Sequence, residues 1–118
     1  MRVLFVEDNP DVREVVALLL QEQALDVLTC DSAESAEAAF SASHFDVLLT
    51  DVSLPAMSGV ELARRLLREQ PGLWVVFLSG HAMEAHLEAL GPQVRCLRKP
   101  FHPEALHAMV EEIRARLG

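Results

Sequence analysis

Apolar runs and helical repeats alternate five times along this chain. Five short runs are typical of buried strands and cover residues 3–6, 27–30, 45–50, 74–78 and 94–97. Apolar residues recur at helical spacing over residues 10–23, 33–42, 58–70 and 82–90, and from 103 to the C-terminus. Strands that alternate with helices pair in parallel through right-handed crossovers, which leaves helices on both faces of the sheet. The pattern therefore predicts a doubly wound α/β fold with a five-stranded parallel sheet and five helices.

Local signals support the helix positions. Asn9 followed by Pro10 is typical of an N-cap with proline in the first helical position, and Asp31 or Ser32 can cap the second helix. The Pro71-Gly72 pair predicts the end of the third helix. The helical spacing predicts that the first helix buries one face, made of Val12, Val15, Val16, Leu19 and Leu20.

Size and charge restrict the classes of function. A chain of 118 residues, 51 % of them hydrophobic, predicts one domain that spans residues 1–118. Ten Lys and Arg against 18 Asp and Glu give a formal charge of −8, which repels phosphate groups, so we expect neither nucleic acid nor an anionic membrane as a direct partner. No apolar run approaches the roughly 20 residues of a membrane span, and no signal peptide is recognisable. These features favour a cytoplasmic protein whose partner is a protein or a cation.

Cysteine and histidine residues do not form a recognisable metal or redox motif. Cys30 and Cys96 lie in separate predicted strands with no CxxC spacing, so we expect two buried thiols. The histidine pairs 81/86 and 102/107 are five residues apart, which does not align two ligands on one helix face.

Four of the five predicted strands end at residues that carry reactive chemistry. Glu7 and Asp8 follow the first strand, Asp51 follows the third, Ser79 the fourth, and the fifth leads into Lys99. Taken singly, an Asp after a strand is usually a helix cap and a Lys is usually solvated. In an open α/β sheet, however, ligands bind at the carboxyl ends of the strands. The combination predicts one site centred on Asp51, while the second strand lies at the margin of the sheet.

The predicted site has a charge balance that favours Mg²⁺ and a phosphoryl group. Three carboxylates in close proximity repel one another unless they bind a cation. Glu7, Asp8 and Asp51 offer oxygen ligands only, too few for a calcium site, which suits Mg²⁺ with several waters. We expect Asp51 to be a carboxylate nucleophile, with Mg²⁺ and Lys99 neutralising the transferred phosphoryl group and the Ser79 hydroxyl donating a hydrogen bond to it.

Four motifs in order resemble the receiver domains of two-component response regulators. They are Val6-Glu-Asp-Asn, Asp51-Val-Ser-Leu-Pro-Ala-Met-Ser-Gly, Leu78-Ser-Gly-His and Lys99-Pro-Phe, and the resemblance covers essentially all 118 residues. It implies a flavodoxin-like sheet of order 2-1-3-4-5 and a cis Lys99–Pro100 peptide bond. It also implies that Asp51 accepts phosphate from a kinase phosphohistidine, that Ser79 and Lys99 bind the phosphoryl group, and that the Ser53 backbone carbonyl joins Glu7, Asp8 and Asp51 in holding Mg²⁺.

The resemblance also implies partners and limits. The partners would be a sensor histidine kinase or phosphotransfer protein and an output protein or domain, and a homodimer could form through the last helix-strand-helix face. The chain would be no enzyme beyond accepting phosphate and slowly dephosphorylating itself. Ser53 and His81 are candidates for setting the rate at which water hydrolyses the aspartyl phosphate. The alternative is that both are solvated loop residues without such a role.

Two departures from the family pattern concern signal relay. Cys96 occupies the position, three residues before the lysine, where the family usually has an aromatic residue that swings inward on phosphorylation. A small thiol cannot make that movement, so we expect a weakened relay. The usual Gly-Ala-Asp run before the fifth strand is replaced by Leu-Gly-Pro-Gln at residues 90–93, which predicts an irregular fourth helix.

The sequence disfavours two other functions that related folds perform. A phosphatase of related fold usually has an acid two residues after its nucleophile, but position 53 is Ser. A flavin-binding module needs a glycine- and hydroxyl-rich loop after the first strand, and Glu7-Asp8-Asn9-Pro10 has the opposite charge. A pseudo-receiver that only docks, or a receiver segment of a hybrid histidine kinase, stays open as an alternative.

Overall fold

The computed structural model describes residues 1–80 and 90–117 of the chain. Five strands form one parallel sheet: β1 (Arg2–Val6), β2 (Asp26–Cys30), β3 (Val47–Asp51), β4 (Trp74–Ser79) and β5 (Val94–Arg98). The strand order is β2-β1-β3-β4-β5, as the receiver resemblance implies, and β2 lies at the margin. The predicted fold class is therefore confirmed.

Four helices connect and follow these strands in the described part of the chain. They are α1 (Pro10–Gln21), α2 (Ala33–Ala42), α3 (Gly59–Glu69) and α4 (Pro103–Leu117). Residues 81–89 lie outside the described part of the chain. This stretch includes His81, His86 and nearly all of the helix predicted for residues 82–90, so the prediction that this helix is irregular also falls outside the described part. The five predicted helices thus correspond to four described ones.

Side-chain caps start three of the helices where the sequence predicts them. The Asn9 side chain accepts hydrogen bonds from the backbone N–H groups of Asp11 and Val12, and Pro10 is the first helical residue. Ser32, rather than Asp31, caps α2. Ser58 caps α3 by accepting from Glu61 N–H at 3.1 Å. Each cap satisfies backbone donors that the first helical turn leaves without an internal partner.

Alternate residues of the strands supply two cores, one on each face of the sheet. On one face Leu4, Val6 and Phe77 pack with residues of α2 and α3. On the other face Val3 and Phe5 pack with residues of α1 and α4. The side-chain period of two along each strand produces this division. Both faces are covered, which explains why the central strands are almost continuously apolar.

The first helix buries a narrower face than predicted. Val16 and Leu20 are buried, but Val15 is 59 % exposed and does not belong to the core. The helix also ends at Gln21 instead of residue 23, because Ala24 adopts the left-handed conformation with a φ of 61°. A helix cannot continue through a residue in that conformation.

The third strand begins two residues later than predicted. The Asp46 carboxylate accepts the Arg2 backbone N–H at 2.8 Å, so this donor does not pair with a strand carbonyl. The ladder between β1 and β3 accordingly starts at Val3 and Val47. The side chain of Asp46 therefore sets where this strand pairing begins.

The two cysteines lie on opposite margins of the sheet, Cys30 on β2 and Cys96 on β5, and form no disulfide. Cys30 is buried, as predicted. Cys96 is only half-buried, so the prediction of two buried thiols was wrong for this residue. Edge position alone does not decide the exposure of these side chains, because Cys30 also lies on an edge strand.

Candidate functional site

The carboxyl ends of β1, β3, β4 and β5 are neighbours because the strands are parallel and adjacent in the sheet. Asp51 is the last residue of β3 and Ser79 the last residue of β4, while Glu7 and Lys99 directly follow β1 and β5. The register pairs Asp51 with Leu78 and Ser79 with Arg98, so the strands end at nearly the same level. The fold therefore brings the predicted site residues to one edge of the sheet.

Three carboxylates meet at this edge. Glu7, Asp8 and Asp51 each offer one oxygen, and these oxygens lie within 4.8 Å of one another. The Glu7 residue is 1 % exposed, Asp51 is half-buried and Asp8 is exposed. Carboxylates this close repel one another, so the ionised cluster requires a positive charge.

Lys99 supplies a positive charge within the cluster. Its Nζ donates to Asp51 Oδ2 at 2.7 Å and to Glu7 Oε1 at 3.0 Å. Burial lowers the pKa of the Lys99 ammonium group, but the hydrogen bonds to Asp51 and Glu7 outweigh that effect and raise the pKa above its ordinary value. The lysine is therefore a fixed cation. The Lys99–Pro100 peptide bond is cis, as expected from the resemblance.

Glu7 is held by the loop that follows β1. Its second carboxylate oxygen accepts the Asn9 backbone N–H at 3.2 Å. Burial raises the pKa of Glu7 above its ordinary value, although the hydrogen bonds from Lys99 and Asn9 act in the opposite direction. A buried carboxylate in this position gains from any additional cation that reaches it.

The loop between β3 and α3 shapes the surroundings of Asp51. The Ser53 backbone N–H donates to Asp51 Oδ1 at 3.0 Å, so both carboxylate oxygens have a donor. The Gly59 N–H bonds the Val52 carbonyl at 2.9 Å, which folds the start of α3 back onto the end of β3. Ser53 is exposed at the mouth of the site. Its backbone carbonyl as a metal ligand stays a prediction.

The last residue of β4, Ser79, is buried beside this cluster in the sheet. Its backbone carbonyl accepts the Lys99 N–H at 2.7 Å, which ties the end of β4 to the residue that carries the lysine. The role of its hydroxyl toward a phosphoryl group stays a prediction.

Two residues near the site were missed in the sequence. The Arg13 guanidinium donates to the Glu7 backbone carbonyl at 2.9 Å, and the buried Thr50 hydroxyl donates to the Asp51 backbone carbonyl at 3.0 Å. Arg13 could have been found from its position four residues after the cap Asn9, because that spacing turns a side chain back toward the preceding loop. The signal for Thr50 in the sequence is a hydroxyl that directly follows three apolar residues, 47–49, and directly precedes Asp51.

The donor set fits Mg²⁺ better than a softer metal. Within residues 1–80 and 90–117, the group of three or more potential ligands is Glu7, Asp8 and Asp51, which offer only carboxylate oxygens. Hard divalent cations prefer oxygen, and a site with few protein ligands suits an ion that keeps several waters. Among the described residues, this group of potential ligands contains no histidine.

No helix in the described part of the chain is long and apolar enough to cross a membrane.

Comparisons of sequence and of structure with known proteins both identify response regulators. Residues 3–111 match the family described as "Response regulator receiver domain". The "Response regulator receiver protein CpdR" of Brucella abortus (strain 2308) is 35 % identical over 98 % of this chain and 96 % of that protein. The "Cell cycle response regulator CtrA" of Brucella ovis is 32 % identical over 98 % of the chain but only 51 % of its own length. The chemotaxis response regulator CheY4 of Vibrio cholerae superposes with a TM-score of 0.83 at 29 % identity, over 95 % of this chain and 97 % of that one.

Proposed function

The chain belongs to the family of response regulator receiver domains, and on that premise we propose that Asp51 accepts a phosphoryl group in a reaction that requires Mg²⁺. The donor is the phosphohistidine of a sensor histidine kinase or of a phosphotransfer protein. Receiver domains are modules of two-component signal transduction rather than classical enzymes. The observation that carries the proposal is the contact of Lys99 with Asp51 at 2.7 Å, inside a cluster of three carboxylates.

Transfer to Asp51 needs orientation and charge neutralisation more than acid–base chemistry. An Asp51 carboxylate oxygen forms a bond to phosphorus while the bond from phosphorus to the histidine nitrogen breaks. The electron pair of that bond stays on the imidazole, which leaves as a neutral group after taking up a proton. Lys99 holds one Asp51 oxygen and the Ser53 N–H holds the other, so the carboxylate has a defined orientation before the donor arrives.

Glu7, Asp8 and Asp51 would hold the Mg²⁺ ion, with the Ser53 carbonyl as the additional ligand that the family pattern implies. When bound, the ion neutralises charge on the phosphoryl oxygens. Lys99 contributes the second positive charge and exchanges its contact with Asp51 for one with the phosphoryl group. The Ser79 hydroxyl donates a hydrogen bond to a phosphoryl oxygen. The aspartyl phosphate then changes the affinity of the domain for a protein partner.

Signal relay and assembly are the finer parts of this proposal. Cys96 is half-buried, in the position where the family usually has an aromatic switch, so relay through that position should be weak. A homodimer would use the face that includes β5 and α4. The chain matches almost the whole length of CpdR but only about half of CtrA. The family assignment is therefore compatible with a free-standing domain and also with part of a larger regulator or hybrid kinase.

Mass spectrometry of the intact protein tests the proposal. Incubation with acetyl phosphate and Mg²⁺ should add one phosphoryl group to the wild type, and removal of Mg²⁺ by a chelator should prevent the addition. Asp51→Asn should not react. The matched control is Asp31→Asn, because Asp31 is an exposed aspartate that also follows a strand, and it should react like wild type. Equal labelling of Asp51→Asn and wild type would reject the proposal, and no labelling of wild type would favour a docking-only pseudo-receiver.

A further inference from the structure

A buried hydroxyl lies directly behind the backbone of Asp51. Within residues 1–80 and 90–117, the buried polar or charged side chains are Glu7, Thr50 and Ser79. Thr50 is the fourth residue of β3 and is fully buried. A hydroxyl removed from water is unfavourable unless it makes a hydrogen bond. The Thr50 Oγ1 donates to the backbone carbonyl of Asp51 at 3.0 Å.

The same carbonyl is confined from a second side by the first residue of α3. A Cβ atom added to Gly59 would lie 1.9 Å from the Asp51 carbonyl oxygen and 3.0 Å from Thr50 Oγ1. Only a residue without a side chain permits this approach. The Asp51 carbonyl oxygen is therefore close to both the Thr50 hydroxyl and the backbone of Gly59.

We propose that Thr50 is a positioning residue for the Asp51 nucleophile, an inference that rests on the proposed function. The ladder between β1 and β3 ends with the pair Val6 and Thr50, so Asp51 is the first residue beyond it. Rotation about the φ angle of Asp51 would move its carbonyl carbon and its Cβ together. A hydrogen bond that fixes the carbonyl consequently fixes the direction in which the carboxylate leaves the backbone.

This anchor has a property that the hydrogen bonds to the Asp51 carboxylate lack. Lys99 and the Ser53 N–H both bind the carboxylate oxygens themselves, and these oxygens change partners when the phosphoryl group arrives. The hydrogen bond from Thr50 reaches only the main chain, so it persists in the free, attacking and phosphorylated states. Misplacement of a reacting atom by about 1 Å can slow a reaction by roughly a hundredfold.

Two pairs of variants that differ only by one hydroxyl test the role of Thr50. Wild type and Thr50→Val have side chains of nearly the same shape, whereas Thr50→Ser and Thr50→Ala differ by the hydroxyl group alone. The rate of phosphorylation is measured against acetyl phosphate concentration at saturating Mg²⁺. The affinity for Mg²⁺ without phosphodonor is measured by nuclear magnetic resonance titration, and the urea midpoint reports stability. Thr29→Val is the matched control, because Thr29 is the other threonine of the chain and is exposed on the edge strand β2.

Loss of the hydroxyl should slow the maximal rate about tenfold without changing the half-saturating concentration of acetyl phosphate, since the defect concerns orientation of the nucleophile. Thr50→Ser should recover to within about twofold of wild type, and Thr50→Ala should fall about as far as Thr50→Val. Mg²⁺ affinity should weaken severalfold in both hydroxyl-free variants, because Asp51 is one of the three carboxylates. Thr29→Val should match wild type throughout. If one hydroxyl-free variant does not fold, the other pair decides.

Two results would overturn the inference. One is a hydroxyl-free variant that reacts within twofold of its hydroxyl-bearing partner. The other is a Thr50→Ser variant that is as slow as Thr50→Val, which would assign the effect to the methyl group and packing. Both results can be interpreted only if the wild-type protein is phosphorylated at Asp51. A wild type that is not phosphorylated there instead refutes the proposed function, so the two failures are distinguishable.

Discussion

Replacement of Lys99 by methionine tests whether the acidic cluster depends on this lysine in the protein without metal. Met keeps much of the apolar volume of the lysine side chain and removes the charge. The ammonium group makes two charge-assisted hydrogen bonds, to Asp51 and Glu7, and the lysine side chain is 27 % exposed. Removal of one partner from a partly buried ion pair leaves an uncompensated charge, which is strongly destabilising. We expect the free energy of unfolding to fall.

The size of the loss is limited by the ability of Glu7 to take up a proton. The ordinary pKa of this carboxyl is 4.5, and burial already raises it in the folded protein. At about 1.4 kcal/mol per pKa unit, keeping Glu7 neutral at pH 7 costs roughly 3.4 kcal/mol. The predicted loss at pH 7 is therefore about 2–3.5 kcal/mol. A group whose folded pKa is raised destabilises the folded state as the pH rises above its unfolded pKa, so the loss should shrink by up to about 1.4 kcal/mol at pH 6.

Urea unfolding followed by the fluorescence of Trp74, the single tryptophan of the chain, measures these differences in buffer that contains a chelator. The double variant Glu7→Gln/Lys99→Met should recover much of the stability, because it removes the buried charge together with its partner. The control is Arg98→Met, which removes an exposed cation from the neighbouring position.

Three results would refute this account of the cluster. The first is a Lys99→Met protein as stable as wild type. The second is a double variant no more stable than Lys99→Met. The third is an Arg98→Met protein with an equal loss, which would show that net charge alone explains the effect.

Three further predictions concern the same structure. Gly59→Ala should lower the free energy of unfolding by about 2–3 kcal/mol, since the added methyl would lie 1.9 Å from the Asp51 carbonyl oxygen. Gly72→Ala is the control, because a Cβ atom there would have nothing within 4 Å and the substitution should change the stability little. Equal effects of the two substitutions would contradict the close contact described for Gly59. The Arg2 backbone N–H donates a hydrogen bond to the Asp46 carboxylate and lowers the pKa of that carboxyl. The free energy of unfolding should therefore fall as the pH drops below about 4, and Asp46→Asn should reduce this acid-dependent loss in urea titrations. Mg²⁺ at about a hundred times its dissociation constant should stabilise wild type by about 2.7 kcal/mol, whereas Asp8→Asn should gain much less in the same titration.

The parts of the fold that follow from periodicity could be predicted from the sequence. Strand existence and strand type depend on local apolar runs, and the parallel arrangement follows from their alternation with helices. Because parallel strands end at the same edge, the order of Glu7, Asp51, Ser79 and Lys99 along the chain was enough to expect them together. Strand order itself came from the family resemblance.

Other features depend on three-dimensional contacts that periodicity does not contain. Val15 fits the helical repeat but is exposed, whereas Val16 and Leu20 are buried in the core and Val12 and Leu19 pack partly against it. Asp46 determines the start of β3 through a bond to Arg2, 44 residues away. Cys30 and Cys96 both lie on edge strands, yet Cys30 is buried and Cys96 only half-buried, so their exposure depends on what packs over each strand.

The site shows the same division. Residue types and strand ends indicated the acidic cluster and the lysine, but not that Lys99 contacts Glu7 and Asp51 at once. The role of the Thr50 hydroxyl could not be predicted, because a single hydroxyl in a buried strand has no recognisable spacing. Its partner is the main chain of the next residue, which no sequence motif encodes.

The claim that Asp51 is the phosphoacceptor is tested most directly by chemical identification of the modified residue. Borohydride reduces an aspartyl phosphate to homoserine, so protein treated with acetyl phosphate and Mg²⁺ is reduced, digested and sequenced by mass spectrometry. We predict homoserine at position 51, dependent on Mg²⁺ and on the phosphodonor. Homoserine at Asp8 or another aspartate, or none at position 51 in protein that carries the added phosphoryl mass, would contradict the account.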